Sequence, residues 1–253
     1  MRERGLSVHA RDIASLPPGS LRNFDCLVAG DEFCQLNLPS SAELRALKKK
    51  FAGKIILATP PLTEAGFGRA EALAAGWIAS EDRPELIVND IGLLSVLLQR
   101  YAAGRLRVSI GRFLSRALGF SKSASFFARV LSGRAKSFEA DNLEFLDASD
   151  AIGDAAVSFH LPLEYVCMTR FCSFAGQFNT SCRRECGSAL LPLRNKAVRK
   201  PLYVRGNAYF SSNSAALAAC GGLRGLLSRY PRVKRVVFDA AALRGGLAGE
   251  CAL

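Results

Sequence analysis

Short apolar runs alternate with longer segments of helical pattern along most of this 253-residue chain. The clearest apolar runs lie at residues 24–30, 54–60, 85–90, 105–111 and 233–240. They are apolar almost throughout, as strands are when both faces of a sheet are covered. Because strands that alternate with helices pair in parallel, the pattern predicts an α/β fold.

Two common parallel folds lack their phosphate-binding motif in this chain. Neither G-x-G-x-x-G nor G-x-x-x-x-G-K-[ST] follows any of the apolar runs, which argues against a Rossmann or P-loop protein. The remaining interpretation is a (β/α) barrel of the TIM type, either complete or irregular and incomplete. No repeat or linker divides the chain, so we expect one domain over residues 1–253 with a cysteine-rich insertion at about 166–212.

Several boundaries are readable in the local sequence. Ser40 followed by Glu43 is typical of a helix start, and that helix is expected to run to about Phe51. Residues 155–168 are predicted to hold one or two strands. Residues 188–196 and 201–210 are predicted to form a hairpin pair, and 214–230 to be helical.

The absence of long apolar segments in the sequence bears on where the protein is located and on the redox state of its cysteines. No apolar run reaches the roughly 18 residues of a membrane span, and the first residues have no apolar signal-peptide core. We therefore expect a cytoplasmic protein without a membrane span. In a reducing compartment, clustered cysteines bind metals or react more often than they form disulfides.

The eight cysteines fall into different classes. Cys26 and Cys220 lie in apolar or Ala-rich surroundings and are typical of small buried hydrophobes. Cys251 lies in a Gly/Ala-rich tail. Cys172, Cys182 and Cys186 share one segment with the spacing C-x9-C-x3-C.

Arginines flank this cysteine segment at positions 170, 183 and 184. Cationic neighbours lower thiol pKa values and offset the negative charge of a group of thiolates. Sulfur ligands suit either zinc or an iron–sulfur centre, and spacing alone leaves both open. A fourth ligand, Cys34, is available if the barrel brings it to the other three.

Polar residues recur where predicted strands end, which is the functional face of a parallel barrel. Besides Cys34, the candidates are Asp90, Glu139 and His160 as acid–base or substrate-binding groups. Alternative roles are capping of the next helix by Asp90 and a purely structural role for His160. Because the chain has only two histidines, protease chemistry has little support.

The net charge of +12 favours an anionic partner, and RNA is one candidate. A generic solvated surface is the alternative, since no basic cluster shows interleaved aromatic residues or a known nucleic-acid motif.

Several motifs occur in the order found in the collagenase-like peptidase family U-32, which the chain resembles over residues 6–240. They are GDEFC, KIILATPPL, VNDIGLL, a strand ending in Gly111, and TRFC followed by C-x3-C. The arrangement is most similar to the UbiV-like branch, although Gln35-Leu36-Asn37 stands where that branch carries a basic Ser-Lys-Arg. The resemblance implies a TIM-type barrel and a 4Fe-4S cluster ligated by Cys34, Cys172, Cys182 and Cys186.

The resemblance also implies an activity and a partner. UbiV-like proteins form a heterodimer with a second U-32 protein, UbiU, in oxygen-independent hydroxylation during ubiquinone biosynthesis, with prephenate as the implicated oxygen source. Other relatives hydroxylate RNA bases, and some are labelled proteases. A non-catalytic subunit that stabilises a second barrel is a further alternative.

Overall fold

Eight parallel strands close into a barrel in the computed structural model, which describes residues 2–9, 12, 19–101, 104–119, 135–178, 182, 184, 186–187, 189–194 and 201–247. Going round the barrel, each strand pairs with the next one in the chain, and the last pairs with the first. The barrel strands are β1 Glu3–Val8, β2 Cys26–Gly30, β3 Lys54–Thr59, β4 Glu85–Val88, β5 Arg107–Ile110, β6 Ala135–Ala140, β7 Ala156–Leu161 and β14 Val233–Asp239. The predicted TIM-type fold is therefore confirmed, and its barrel is closed.

Helices follow the strands and cover the outside of the barrel. They are α1 Ser41–Lys50, α2 Glu64–Ser80, α3 Ile91–Arg100, α4 Arg112–Gly119, α5 Leu143–Asp147, α6 Ser214–Ala219, α7 Gly222–Arg229 and α8 Ala240–Arg244. None of the described helices is both long and apolar enough to cross a lipid bilayer.

Two helical predictions had different outcomes. At the start of α1, the Glu43 amide donates to Ser40 Oγ over 3.2 Å, and the Ser40 amide donates to the Glu43 carboxylate over 2.6 Å, which completes the predicted cap. The single helix expected over residues 214–230 is instead broken into α6 and α7. Gly221 and Gly222 have φ values of 74° and 83° at the break, a backbone conformation that glycine adopts without strain.

The inward-facing side chains divide the barrel interior into two halves. On β2, β3, β4 and β14 they form a small apolar cluster of Cys26, Val28, Ile56, Ala58, Ile87 and Val237. On β5, β6 and β7 the buried alternate residues are polar, namely Ser109, Ser137, Glu139, Ser158 and His160. The intervening residues, such as Phe138 and Phe159, belong to the larger core under the helices. The polar half of the barrel interior is therefore formed by the inward-facing residues of β5, β6 and β7.

A second sheet is inserted between β7 and β14. It is antiparallel and four-stranded, in the order β11-β12-β13-β8, with a two-stranded β9–β10 ribbon beside it. Its strands are β8 Leu163–Met168, β9 Phe171–Cys172, β10 Gln177–Phe178, β11 Leu191–Leu193, β12 Leu202–Arg205 and β13 Ala208–Ser212. Residues 156–168 thus form two strands, and residues 201–210 supply two strands joined by the Gly206-Asn207 turn.

Aromatic packing joins this insertion sheet to the barrel. Phe33, in the loop after β2, stacks on Tyr165 with ring centres 4.7 Å apart and meets the edge of Phe210 at 5.3 Å. Leu163, Ala208 and Ala242 complete this apolar cluster, which is separate from the main core. The insertion sheet is therefore held over the loop after β2 at the carboxyl ends of the barrel strands.

Candidate functional site

The loop after β2 carries Cys34 and is held by the Asp31 carboxylate. Asp31 accepts from the Phe33 amide at 2.8 Å, from the Cys34 amide at 3.1 Å and from Asn37 Nδ2 at 3.0 Å. Gly30 precedes it with a φ of 125°, and a Cβ there would lie 2.3 Å from the Ala58 carbonyl oxygen. Only glycine fits this turn, which directs the chain into the cysteine loop.

The other three predicted cysteines return to this loop from the insertion. Cys172 ends β9, while Cys182 and Cys186 follow β10. The Arg184 guanidinium donates to the Leu38 carbonyl at 3.4 Å. Asn37 hydrogen-bonds the Cys186 thiol. Both contacts place the cysteine segment against the Cys34 loop.

Asn207, in the turn between β12 and β13, makes a second link. Its Nδ2 donates to the Phe33 carbonyl at 3.2 Å and to the Thr169 carbonyl at 2.9 Å. The Thr169 amide in turn donates to the Asn207 carbonyl at 2.9 Å. One asparagine therefore connects the cysteine loop, the approach to β9 and the β12–β13 turn.

The thiols of Cys34 and Cys186 are affected by burial and by neighbouring charges. Burial raises the pKa of Cys34 to about 12, with Asp31 and Cys186 adding to the increase. Burial likewise raises the pKa of Cys186, and Cys172 and Cys182 contribute to that increase. Cys186 therefore interacts electrostatically with each of the other three predicted ligands. Cys34, Cys172 and Cys186 are buried, and Cys182 is half-buried.

The thiols nevertheless do not converge on one point. Within the described ranges, no three His, Cys, Asp or Glu side chains are arranged to hold a single metal ion. The site is thus a loose group of soft donors. The raised pKa values keep Cys34 and Cys186 protonated at neutral pH, so a cation that binds them must displace protons.

Next to the cysteine loop lies a buried ion-pair group that the sequence analysis missed in part. The Arg112 amide and Nε donate to the two Glu32 carboxylate oxygens at 3.0 and 2.9 Å, and Arg112 Nη1 lies 3.6 Å from Asp141. Its guanidinium also lies 4.9 Å from the centre of the Phe33 ring. Glu32 follows β2 directly and Arg112 follows β5 closely, so their strand-end positions were the available signal.

The two carboxyl groups of this ion-pair group respond differently to burial. Burial opposes ionisation of Glu32, but Arg112 and its hydrogen bonds outweigh burial and lower the pKa. Burial dominates at Asp141 and raises its pKa, although Arg112 and the Tyr165 amide act against it. The group therefore combines a firmly ionised carboxylate with one that holds its proton more readily.

Glu139 and His160, predicted as acid–base residues, form a pair inside the polar half of the barrel. His160 Nε2 lies 2.7 Å from Glu139 Oε2, and Ser109 Oγ donates to Glu139 Oε1 at 2.5 Å. The carboxylate lies between the hydroxyl and the imidazole, so His160 does not contact the serine as the base of a hydrolase triad would. The arrangement is a buried hydrogen-bonded pair of a carboxyl group and an imidazole.

Asp90 has a backbone-capping role in the structure. Its Oδ1 accepts from the Leu93 amide at 2.9 Å and caps α3, and its Oδ2 accepts from the Leu62 amide at 3.0 Å. A catalytic role for Asp90 remains a prediction. Of the cysteines assigned to other roles, Cys26 is fully buried and Cys220 is half-buried against the core, while Cys251 lies outside the described residues.

Comparisons with known proteins return only distant structural similarity. No protein-family model matches the chain, and no curated protein matches it in sequence. A glycoside hydrolase family 18 N-acetylglucosaminidase from Paenibacillus barengoltzii aligns with a TM-score of 0.45 and 10% identity over 94% of each chain. The chitinase ChiW from Paenibacillus sp. FPU-7 aligns with a TM-score of 0.42 and 10% identity over 93% of this chain and 40% of its own. Similarity at this level carries no information about activity.

Proposed function

We propose that this chain holds a 4Fe-4S cluster on Cys34, Cys172, Cys182 and Cys186 and serves as a subunit of an oxygen-independent hydroxylase. The proposal places it in the UbiV-like branch of family U-32, with a UbiU-like second subunit and ubiquinone biosynthesis as the setting. The observation that carries it is the return of the cysteine segment to the Cys34 loop, where Arg184 donates to the Leu38 carbonyl and Asn207 joins Phe33 to Thr169.

The donor set suits a 4Fe-4S cluster. Four thiolates are the usual ligands of such a centre. Four thiolates also suit zinc, and metal analysis distinguishes the two. When bound, such a cluster supplies one-electron chemistry.

The chain's own residues hold and shield this site. Asp31 and Asn37 fix the loop that carries Cys34, and Arg184 fastens the cysteine segment to Leu38. The buried Glu139–His160 pair lies within the polar half of the barrel. Arg112 pairs with Glu32 and Asp141, and Asp141 accepts from the Tyr165 amide of the insertion sheet.

Anaerobic purification tests the proposal. The wild-type chain should be brown and contain about four irons and four sulfides per chain. Cys182→Ala should lose the colour and the iron, whereas Cys167→Ala should retain both, because Cys167 is an exposed thiol outside the group of four. A colourless wild-type chain with stoichiometric zinc would contradict the proposal.

Hydroxylation of an RNA base is the second candidate function, and charge favours it. Residues 163–212 contain eight Lys and Arg against two Asp and Glu, a net charge of +6. RNA binding that weakens steeply with salt would support this function, since phosphate contacts release counterions. No RNA binding at low salt would eliminate it.

A further inference from the structure

Exposed apolar side chains are concentrated on the insertion. Of the six large exposed hydrophobic residues among the described ones, five lie in residues 163–212: Val166, Phe171, Phe178, Leu191 and Leu193. Val166 and the two leucines lie on opposite edges of the insertion sheet, whereas Phe171 and Phe178 contact each other on the β9–β10 ribbon. We call Phe171, Phe178 and the exposed Arg170 the docking face. The sixth, Ile91, lies on the barrel at the start of α3. Grouped apolar residues at a surface are typical of an interaction site.

The insertion that carries the docking face is rich in positive charge. The insertion carries half of the chain's net charge of +12 on 50 of its 253 residues. Arg170 and Arg194 are exposed beside Phe171 and Leu193. Only Arg205 of the described insertion arginines is buried, in an ion pair of 2.6 Å with Asp239. A partner for this surface is therefore acidic, with an apolar centre.

The docking face also lies directly against the cysteine group. Phe171 and Cys172 are the two residues of β9, and Phe171 packs edge-to-face on Phe178 with ring centres 5.7 Å apart. The side chain of the next residue, Ser173, lies 3.1 Å from the Tyr209 hydroxyl on β13. Phe171 is exposed and the next residue, Cys172, is buried. A partner bound at the docking face therefore contacts the residue adjacent to a proposed cluster ligand.

We propose that the docking face binds a small acidic protein that carries one electron on an iron–sulfur centre. This inference rests on the proposed cluster. One electron leaves the carrier's reduced centre and enters the site held by the four cysteines. The carrier is oxidised and the site is reduced by one electron each, and no bond forms or breaks.

The observations favour this partner over three others. A second copy would bring two surfaces of net charge +6 together, which is repulsive. A permanent subunit buries a larger and more continuous apolar area than two exposed aromatic side chains, whereas electron-transfer contacts are small and steered by charge. RNA would need open aromatic faces for base stacking, but Phe171 packs edge-to-face against Phe178.

A reduced plant-type ferredoxin is a suitable probe, used with the anaerobically purified full chain. Affinity is measured by titration at low and high salt, and the rate of cluster reduction by stopped-flow absorbance. Phe178→Ser and Arg170→Glu should each weaken binding and slow reduction about tenfold, which corresponds to loss of one important interface contact. Ile91→Ser and Arg224→Glu are matched controls on the barrel and should change neither quantity.

Dithionite separates docking from cluster chemistry. It should reduce wild type and all four variants at the same rate, since a small reductant does not need the docking face. Iron and sulfide are measured first. A wild-type chain that contains neither refutes the proposed cluster. Whether that chain binds ferredoxin is measured separately and tests the docking face alone. Reduction by ferredoxin that Phe178→Ser and Arg170→Glu leave unchanged overturns the inference. Failure of the wild-type chain to bind ferredoxin also overturns the inference. So does a homodimer or an RNA complex that the wild-type chain forms and these two variants lose.

Discussion

The barrel and the insertion sheet are stabilised in different ways. In the barrel, each strand places one row of side chains under the helices and the other inside, and buried charges such as Arg235 are paired with carboxylates at 2.7 Å. The insertion has short strands, five exposed hydrophobic residues and a surplus of arginine and lysine. The barrel therefore neutralises its charges inside the fold, whereas the insertion exposes apolar and cationic side chains.

The largest expected effect separates cofactor binding from folding. Cys34→Ala should remove essentially all iron from the anaerobically purified chain, because one of four cluster ligands is lost. The free energy of unfolding of the cluster-free chain should change by only about 1 kcal/mol, since a small side chain is replaced. Iron analysis and urea unfolding measure the two effects.

Cys26→Ala is the matched change inside the barrel. Cys26 is fully buried among Val28, Ile56 and Val237, and no predicted ligand is among its neighbours in that cluster. This variant should keep its iron. Loss of iron here as well would mean that the barrel core, and not the cysteine group, controls cofactor binding.

Arg112→Met should be the most destabilising of the remaining changes. It leaves Glu32 and Asp141 buried without their cation, and breaking a buried ion pair costs about 3–5 kcal/mol. Denaturant unfolding measures the loss. Arg107→Met is the control, because its side chain is about half exposed at 3.8 Å from Glu85, and its loss should cost under about 1 kcal/mol. Equal losses of unfolding free energy in Arg112→Met and Arg107→Met would show that the Arg112 ion pairs stabilise the fold no more than a surface ion pair does.

The pH dependence of stability tests the buried ion pair between Glu85 and Arg235 in the barrel. Burial opposes ionisation of Glu85, but Arg235 and Lys54 outweigh it and lower the pKa, so the folded state binds this proton less tightly than the unfolded state. Glu85 therefore contributes stability above its unfolded pKa of about 4.3, and this contribution is lost as the pH falls toward the folded pKa.

Glu85→Gln should reduce the slope of unfolding free energy against pH by up to about 1.4 kcal/mol per pH unit below pH 4.3. The measurement is urea unfolding across that range. Glu71→Gln, which removes a surface partner of Arg100, should leave the slope unchanged. An unchanged slope in Glu85→Gln would refute the assignment.

The smallest expected effect concerns Asp90. Asp90→Ala should cost about 1 kcal/mol, the value of a helix cap, while Asp90→Asn should cost little because asparagine caps equally well. Hydroxylase activity in Asp90→Asn, relative to wild type, separates the two roles. Full activity would show a capping residue, and strong loss with unchanged stability would show that the carboxylate acts in the reaction.

The barrel was predictable because its signals are local. The apolar runs at 24–30, 54–60 and 85–90 contain β2, β3 and β4, and the Ser40–Glu43 cap gave the start of α1. Local sequence also suggested the capping role of Asp90. The break between α6 and α7 was missed because two adjacent glycines in a left-handed conformation were not distinguished from helical glycines.

The neighbourhood of the site was less predictable because it depends on distant residues. The strand-end position of Arg112 indicated the functional face of the barrel but not its pairing with Glu32, which is 80 positions earlier. Asn207 gave no signal, although it links the loop at Phe33 to Thr169. Clustered thiols indicated a metal site without separating zinc from iron–sulfur, and the four-cysteine ligand set stays a prediction from the family resemblance.

The contact between Asn37 and Cys186 has a consequence for biosynthesis. The first of the four thiols leaves the ribosome early, but the fourth and the Asn207 turn that fastens the loop follow only after most of the chain has been made. A nascent chain that ends before residue 186 lacks a complete ligand set, so any iron delivered during translation has no finished site to enter. On the proposed function, loading of the cluster follows synthesis of the insertion, and truncated chains should accumulate without metal.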